Sequence, residues 1–581
     1  MENVKTYPYT DDAGILHIRY QDTHALPCAV REITDVTVSS RVTGTDTPDP
    51  NLLLLREDGT SVYADGCGAA TVCLADGSEV RIQIDPSPIN LLFVTGQSNA
   101  SGDPSYYDES YFEHYVRSPE TMAYFTFCGQ QVSIDVEGDK ALYQQAIDED
   151  GRALWHTKEQ VEKGEWEMPN FTDYHLNVTP TLDWESARVE KGCDPRIFSL
   201  RGVRFSTCGW NASLAAEWIK QTGERVWLVN CSQGGMEIQQ FLPSEDGTVK
   251  NNEYYQAVAV FNLALETLYK EVDAGHFTLH HMAYYWFQGE SNGLPYPKDI
   301  CRDYYGYRNR FKQYRGFSYL TAPEYVDMFT RMHEGFMRDV VYDHNGVRKE
   351  LEYCGIMTIR YKWNDNTDLY DQIGINSIRA AQYYIGACNK GSLKNVFTAS
   401  NVTEEWMGET SEDANRKVRE YFLRKYGSAE NVRETLGYDI PATAKQMIPN
   451  SHYLIYGHNE MGWDCARNTL AYLNRTQPWD AYALSYTAEE KPTISLLGKD
   501  GRTELTDKIL LEEDGTAVVY PKVTPVYLSS VGIELVLDEA CRDAFAFDGY
   551  ILTRRDPACD TVSFTLFYGG EVYATYTLSV E

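Results

Sequence analysis

The spacing of apolar residues changes character twice along the chain. Over residues 1 to about 88 it is short and alternating: "LLLLREDGTSVYADGCGAATVCLADGSEVRIQID" switches between apolar and polar positions between Asp-Gly turns, the pattern of a small β-sandwich. Pro86-Ser-Pro88 then punctuates the chain. From about residue 90 the runs become continuous. "INLLFV", "ERVWLVNCS", "HMAYYWFQGESNG", "YCGIMTIRY" and "LKNVFTAS" each contain a stretch fit for a strand covered on both faces. Between them lie helical stretches, "NASLAAEWIKQTG", whose terminal glycine suits a C-cap, and "QIGINSIRAAQYYIGAC". Strand, helix and strand in succession predict an α/β unit with a parallel sheet between two helical layers. From about residue 480 the alternating pattern returns in "PTISLLGKDGRTELTDKILLEEDGTAVVYP", "VGIELVLDE" and "DTVSFTLFYGGEVYATYTLSVE", a second β-sandwich.

The expected organisation is therefore an N-terminal β accessory domain over 1–88, an α/β domain over 89–478 and a C-terminal β-sandwich over 479–581. Two stretches interrupt the α/β pattern. One, at about 103–200, is tyrosine-rich, acidic and far too long for a connecting loop, so it reads as a subdomain or lid. The other, at about 402–447, is charged and partly helical. A length of 581 residues agrees with several domains rather than one core.

Charge and composition narrow the function. A formal net charge of −33 argues against nucleic acid, anionic membranes and acidic polymers as partners. No apolar run is long enough to span a membrane. The N-terminal "MENVKTYPYTDDAG" has neither the basic nor the apolar region of a secretory signal, which points to the cytoplasm. The 13 cysteines are scattered and form no Cys-x-x-Cys pair, so reduced thiols are expected and neither a disulfide framework nor a zinc site. Asn364-Asp-Asn-Thr-Asp368 hints at calcium-loop spacing but lacks the turn glycine and distal glutamate of an EF-hand, and reads as a solvated loop. No metal or cofactor is expected. The 43 tyrosines and 11 tryptophans weakly favour a neutral, hydroxyl-rich ligand, because aromatic rings stack on sugars.

Three of the continuous strands run into unusual polar clusters: Gly96-Gln97-Ser98-Asn99, Ser232-Gln233-Gly234-Gly235 and Gln288-Gly289-Glu290-Ser291-Asn292. In a parallel sheet all three meet at one edge, the carboxyl ends where such sheets place ligands. That edge would hold a nucleophilic hydroxyl, glycine N–H groups and side-chain amides, the parts needed to attack a carbonyl and hold its oxyanion. A base is supplied by Asn450-Ser-His-Tyr-Leu-Ile-Tyr-Gly-His-Asn-Glu-Met-Gly462, with two histidines just before the helical run "CARNTLAYL". Asn230-Cys-Ser-Gln-Gly234 differs from a Gly-x-Ser-x-Gly nucleophile elbow only at its first position, so Ser232 is a second candidate nucleophile.

Taken in order, these blocks resemble the SGNH hydrolase superfamily, and within it the sialate O-acetylesterase and acetylxylan-esterase branch of carbohydrate esterases. "IRAAQ" is similar to a helix found upstream of that family's histidine, and the resemblance covers about residues 90–475. It implies a flavodoxin-like three-layer core and a carbohydrate O-acetylesterase acting on an acetylated sugar or glycan. It further implies Ser98 as nucleophile and His452 as base, from the pattern His-Tyr-x5-Asn-Glu-aliphatic-Gly, with His458 structural. The oxyanion donors it implies are the N–H groups of Ser98 and Gly235 (or its neighbour Gly234) and the Asn292 side chain; Gln97, Gln288 and Glu290 would support the site. One departure stands out. Asn450 and Pro449 occupy the positions where the family often has an aspartate, so either a Ser–His dyad operates or a carboxylate arrives from elsewhere. Two further readings remain open on the residues: an α/β-hydrolase using Ser232, and a glycan-binding protein without catalysis.

Overall fold

The structure is a computed structural model. It describes residues 6–26, 33–37, most of 52–102, 123–127, most of 210–293, most of 320–359, most of 369–474 and most of 493–581. Asn364–Asp368, Pro449, Asn450 and nearly all of the 103–200 stretch lie outside the described residues.

Its centre is a six-stranded sheet formed by β1 (Ser87–Gly96), β2 (Ala123–Phe127), β3 (Arg225–Ser232), β4 (Phe277–Phe287), β5 (Tyr353–Met357) and β6 (Val396–Ser400), in the order β2-β3-β1-β4-β5-β6. Every neighbouring pair is parallel. Apart from the extra edge strand β2, this is the doubly wound order in which the chain reverses direction across the sheet between β1 and β4.

The strand β4 accounts for its own continuous apolar run. Successive side chains point to opposite faces of a strand, and here both faces are roofed. Tyr284 and Trp286 face one helical layer: the Tyr284 hydroxyl lies 2.6 Å from His333 Nδ1, and Trp286 stands edge-on to Phe241 and Phe329. Tyr285 and Phe287 face the other, with Tyr285 hydroxyl 3.0 Å from Thr469 Oγ1 and both rings edge-on to Trp210. The first layer includes α3 (Glu253–Asp273), α5 (Ala322–Asp339) and α6 (Leu369–Cys388); the second is α2 (Trp210–Thr222) against α8 (Ile455–Asn474). Short helices α1 (Ser98–Ser101) and α4 (Glu290–Gly293) follow β1 and β4 directly, and α7 (Ser411–Tyr426) lies in the 402–447 stretch.

Residues before β1 form a five-stranded and a three-stranded sheet around a separate small core that includes Ile18, Val62, Val72 and Ile84. Residues after 493 form three further sheets around Leu496, Val519, Leu552, Val562 and Phe564. The N-terminal part grips the amino ends of the central strands. Arg225, the first residue of β3, donates from Nη2 to the Tyr20 carbonyl (2.7 Å) and Asp22 Oδ1 (2.8 Å). Ser87, the first residue of β1, donates to the same carbonyl, and the Tyr20 ring stacks on His276. No helix among the described residues is long and apolar enough to cross a membrane.

Candidate active site

Strand register places the polar clusters side by side. Gly96 pairs with Ser232 across β1 and β3 and with Phe287 across β1 and β4, so the three clusters leave the sheet at one level. That level is also where the sheet's winding reverses, the place where open α/β sheets bind ligands. Two glycines permit the convergence. Gly96 has φ +143°, and a Cβ on it would strike the Phe287 carbonyl. Gly289 has φ +151°, and a Cβ there would come within 2.6 Å of Ile378 Cγ2 on α6. Gly289→Ala should therefore lower the thermal unfolding midpoint, since a left-handed non-glycine residue alone costs roughly 1–3 kcal/mol and the overlap with Ile378 adds to it.

Ser98 is the first residue of α1 and is half-buried rather than sealed. Gly234 lies beside it, such that a Cβ on that glycine would sit 3.8 Å from Ser98 Cβ. Gly235 follows in a left-handed turn (φ +75°) and is exposed. Ser232 is different: it is 7 % exposed, held inside the end of β3, where its N–H donates to Asn230 Oδ1 (3.1 Å). Of the two serines, Ser98 is the more exposed.

The third cluster is bound tightly to the first. Gln97 Oε1 accepts from the Gly289 N–H (3.3 Å), the Ser291 N–H (3.2 Å) and Gln288 Nε2 (3.3 Å). Asn99 Nδ2 donates to Glu290 Oε1 at 2.6 Å. Gln288 is wholly buried, its amide nitrogen directed to the Met236 carbonyl (3.0 Å) and Asn292 Oδ1 (2.7 Å). Asn292 is equally buried. Its Oδ1 also accepts from the Ile238 N–H (2.9 Å), and its Nδ2 donates to Gln239 Oε1 (2.8 Å). These contacts make Asn292 a clamp between the third cluster and Ile238–Gln239, just downstream of the second, turned away from solvent.

His452 is half-buried in the loop that leads into α8. Its neighbour Tyr453 sets its position: that ring packs 6.2 Å from Phe287 and 5.7 Å from Trp406. Because Phe287 pairs with Gly96, the His452 loop arrives at the edge that carries Ser98. His458 is wholly buried in the first turns of α8, edge-on to Tyr453, with its carbonyl accepting from Ser213 Oγ on α2 (3.3 Å).

No protein-family model matches the chain, and no curated protein does. Among solved structures it is similar to a protein of Arabidopsis thaliana, at 14% identity and TM-score 0.29 over 68% of this chain and 100% of that one. It is also similar to a carbohydrate acetylesterase from Xanthomonas citri, at 12% identity and TM-score 0.27 over 97% of this chain and 95% of that one. Both likenesses are distant, and the chemistry of the edge stands on its own contacts.

Two supports of the site carry no motif signal of their own. Tyr325, on α5, is wholly buried; its hydroxyl donates to the Gln288 carbonyl (2.9 Å) and Oε1 (3.0 Å) and accepts from Trp286 Nε1 (3.0 Å). Burial raises its pKa far above the ordinary phenol range, so it remains a donor at every working pH. Glu460, buried in α8, accepts from Tyr421 (2.6 Å), Tyr426 (2.9 Å) and Lys425 (2.5 Å), which fastens the inserted helix α7 to the helix behind His452. The "IRAAQ" stretch acts through Gln382, which donates from Nε2 to the Gln288 carbonyl (2.7 Å) and accepts from the Ile359 N–H (2.8 Å).

Proposed function

We propose that this chain is a serine esterase of the SGNH type that removes acetyl groups from an acetylated carbohydrate. The observation that carries the reading is Ser98: a half-buried hydroxyl at the winding-reversal edge of a parallel sheet, beside an open glycine turn, with a histidine loop delivered to the same edge. On this reading residues 89–478 are the catalytic domain, and 1–88 and 479–581 are flanking β domains.

The chemistry runs in two steps. His452 takes the Ser98 proton as Oγ bonds to the acetyl carbon and the carbonyl electron pair moves onto its oxygen. The tetrahedral intermediate collapses, the C–O bond to the sugar breaks, and His452 returns the proton to the leaving alkoxide. Water then adds to the acetyl-enzyme by the same route and frees acetate and Ser98. The open turn at Gly234–Gly235 and the Ser98 N–H supply backbone donors to the oxyanion. Asn292 ties the third cluster to Ile238 and Gln239, which follow that turn. With Asn450 and Pro449 in place of an aspartate, the mechanism is a Ser–His dyad unless a carboxylate reaches His452 from elsewhere.

Substrate choice is tested directly. Short acyl groups are expected to be preferred, because no apolar stretch suited to a lipid chain is evident in the sequence. With 4-nitrophenyl esters, acetate should turn over faster than octanoate, and the reverse order would remove the deacetylase assignment. Acetate release from acetylated sialic acids, xylans, mannans and pectins, read by mass spectrometry, then identifies the sugar. A protein that binds these glycans and releases no acetate would be the non-catalytic binder instead.

A further inference from the structure

The helix α6 is held from two sides. On one side it touches the third polar cluster: Gln382 Nε2 donates to the Gln288 carbonyl (2.7 Å), and Ile378 packs so closely on Gly289 that no Cβ fits there. On the other side it meets the C-terminal sheets. Tyr383 is buried in one apolar cluster with Ile494, of the strand Thr493–Leu497, and Leu566, of the strand Thr561–Tyr568. Leu535, Tyr568 and Tyr576 pack around that cluster. Residues 378 and 382 lie one turn apart along one row of the helix, and 379 and 383 along the next, so the two contacts are neighbours on its surface.

A buried cation joins them. Arg379 is wholly buried, and a charge taken out of water needs acceptors for its N–H groups. Its Nη2 donates to the Tyr383 hydroxyl (2.6 Å), with the guanidinium 5.4 Å from the centre of that ring. Its Nη1 donates to the Ile359 carbonyl and to Thr403 Oγ1 (3.2 Å). The Ile359 N–H in turn donates to Gln382 Oε1 (2.8 Å). Both backbone groups of Ile359, just past the end of β5, are therefore fixed by α6 side chains, and Gln382 carries the constraint on to Gln288. From there the Gly289 and Ser291 N–H groups bond to Gln97, the residue before Ser98.

We infer that the C-terminal β region is a positioning element of the Ser98 edge: by seating Tyr383 it sets Arg379 and Gln382, and through them the third polar cluster. The inference rests on the Ser98 mechanism proposed above. Close-packed interiors transmit strain, so a gap behind Tyr383 lets α6 shift against Gln288 and Gly289. Ile494 and Leu566 act through Tyr383, with no need to touch the reacting atoms.

Two substitutions of the same kind test it. Leu566→Ala opens a cavity behind Tyr383, whereas Leu552→Ala opens one in the separate C-terminal core, where Leu552 is also wholly buried. Both should lower the thermal midpoint. Only Leu566→Ala should lower kcat per folded molecule on 4-nitrophenyl acetate, by about tenfold to a hundredfold with KM little changed, because displacements of about 1 Å at a reacting centre carry losses of that size. Leu566→Met, which refills the volume, should restore the native kcat. A merely structural role would reduce the folded fraction in both alanine variants and leave kcat per folded molecule unchanged. A loss below about tenfold in Leu566→Ala, or an equal loss in Leu552→Ala, would overturn the assignment. If Leu566→Ala does not fold, Tyr383→Phe, which keeps the ring and removes only the hydroxyl held by Arg379, is judged by the same limits. Ser98→Ala assayed in parallel separates the two readings: normal turnover there removes the Ser98 mechanism itself, whereas a dead Ser98→Ala with a native-like Leu566→Ala removes only the role of the C-terminal region.

Discussion

Ser98→Ala should abolish esterase turnover, lowering kcat by roughly a millionfold, as removal of a serine nucleophile does elsewhere, while the thermal midpoint stays close to native. The change deletes one oxygen from a half-buried position at the start of a four-residue helix, and the contacts that join β1 to β4 run through Gln97 and Asn99 instead. Folding therefore has little reason to respond. Ser232→Ala is the control. That side chain is buried at the end of β3, so its loss should leave most of the rate intact. A dead Ser232→Ala beside an active Ser98→Ala would reverse the assignment and restore the nucleophile-elbow reading.

The second large effect belongs to the histidines. His452→Ala should cost several powers of ten in kcat with little change in stability, the signature of a lost general base. His458→Ala should do the opposite. Its ring is wholly enclosed between Tyr453 and the α2–α8 packing, so its removal leaves a cavity and lowers the thermal midpoint, with kcat of the remaining folded protein largely kept. Steady-state rates and melting curves on the two variants decide it. Near-normal turnover in His452→Ala would end the dyad mechanism, and a stable but inactive His458→Ala would move the base by six residues.

The core of the molecule was legible because its strands are buried on both faces. "LLFV", "VWLV" and "AYYWF" contain no polar alternation to disguise them, and each appears in the parallel sheet. Polar clusters that directly follow such strands must lie at a common edge, and the pairing of Gly96 with both Ser232 and Phe287 places them there. What the pattern concealed was the division of labour among amides. Gln97, Gln288 and Asn292 are chemically alike in the sequence; only the directions of their hydrogen bonds show which neighbours each one ties together. Tyr325 and Glu460 were hidden for a different reason. Each sits in a helix as one of many aromatic or acidic residues, and its partners are distant in sequence: Gln288 is 37 positions from Tyr325, and Tyr421 is 39 positions from Glu460. The strand β2 lies within a stretch whose composition reads as an insertion, yet it pairs with β3 along its whole length.

The grip of Arg225, Ser87 and Tyr20 on one another lies at the opposite end of the strands from Ser98. Ten residues of β1 separate the two ends, about 33 Å at the usual rise per strand residue. For protein engineering this makes the N-terminal β region a handle. A tether to a surface, a fluorophore or a targeting module attached there would be carried by the sheet's amino edge, away from the edge that carries Ser98.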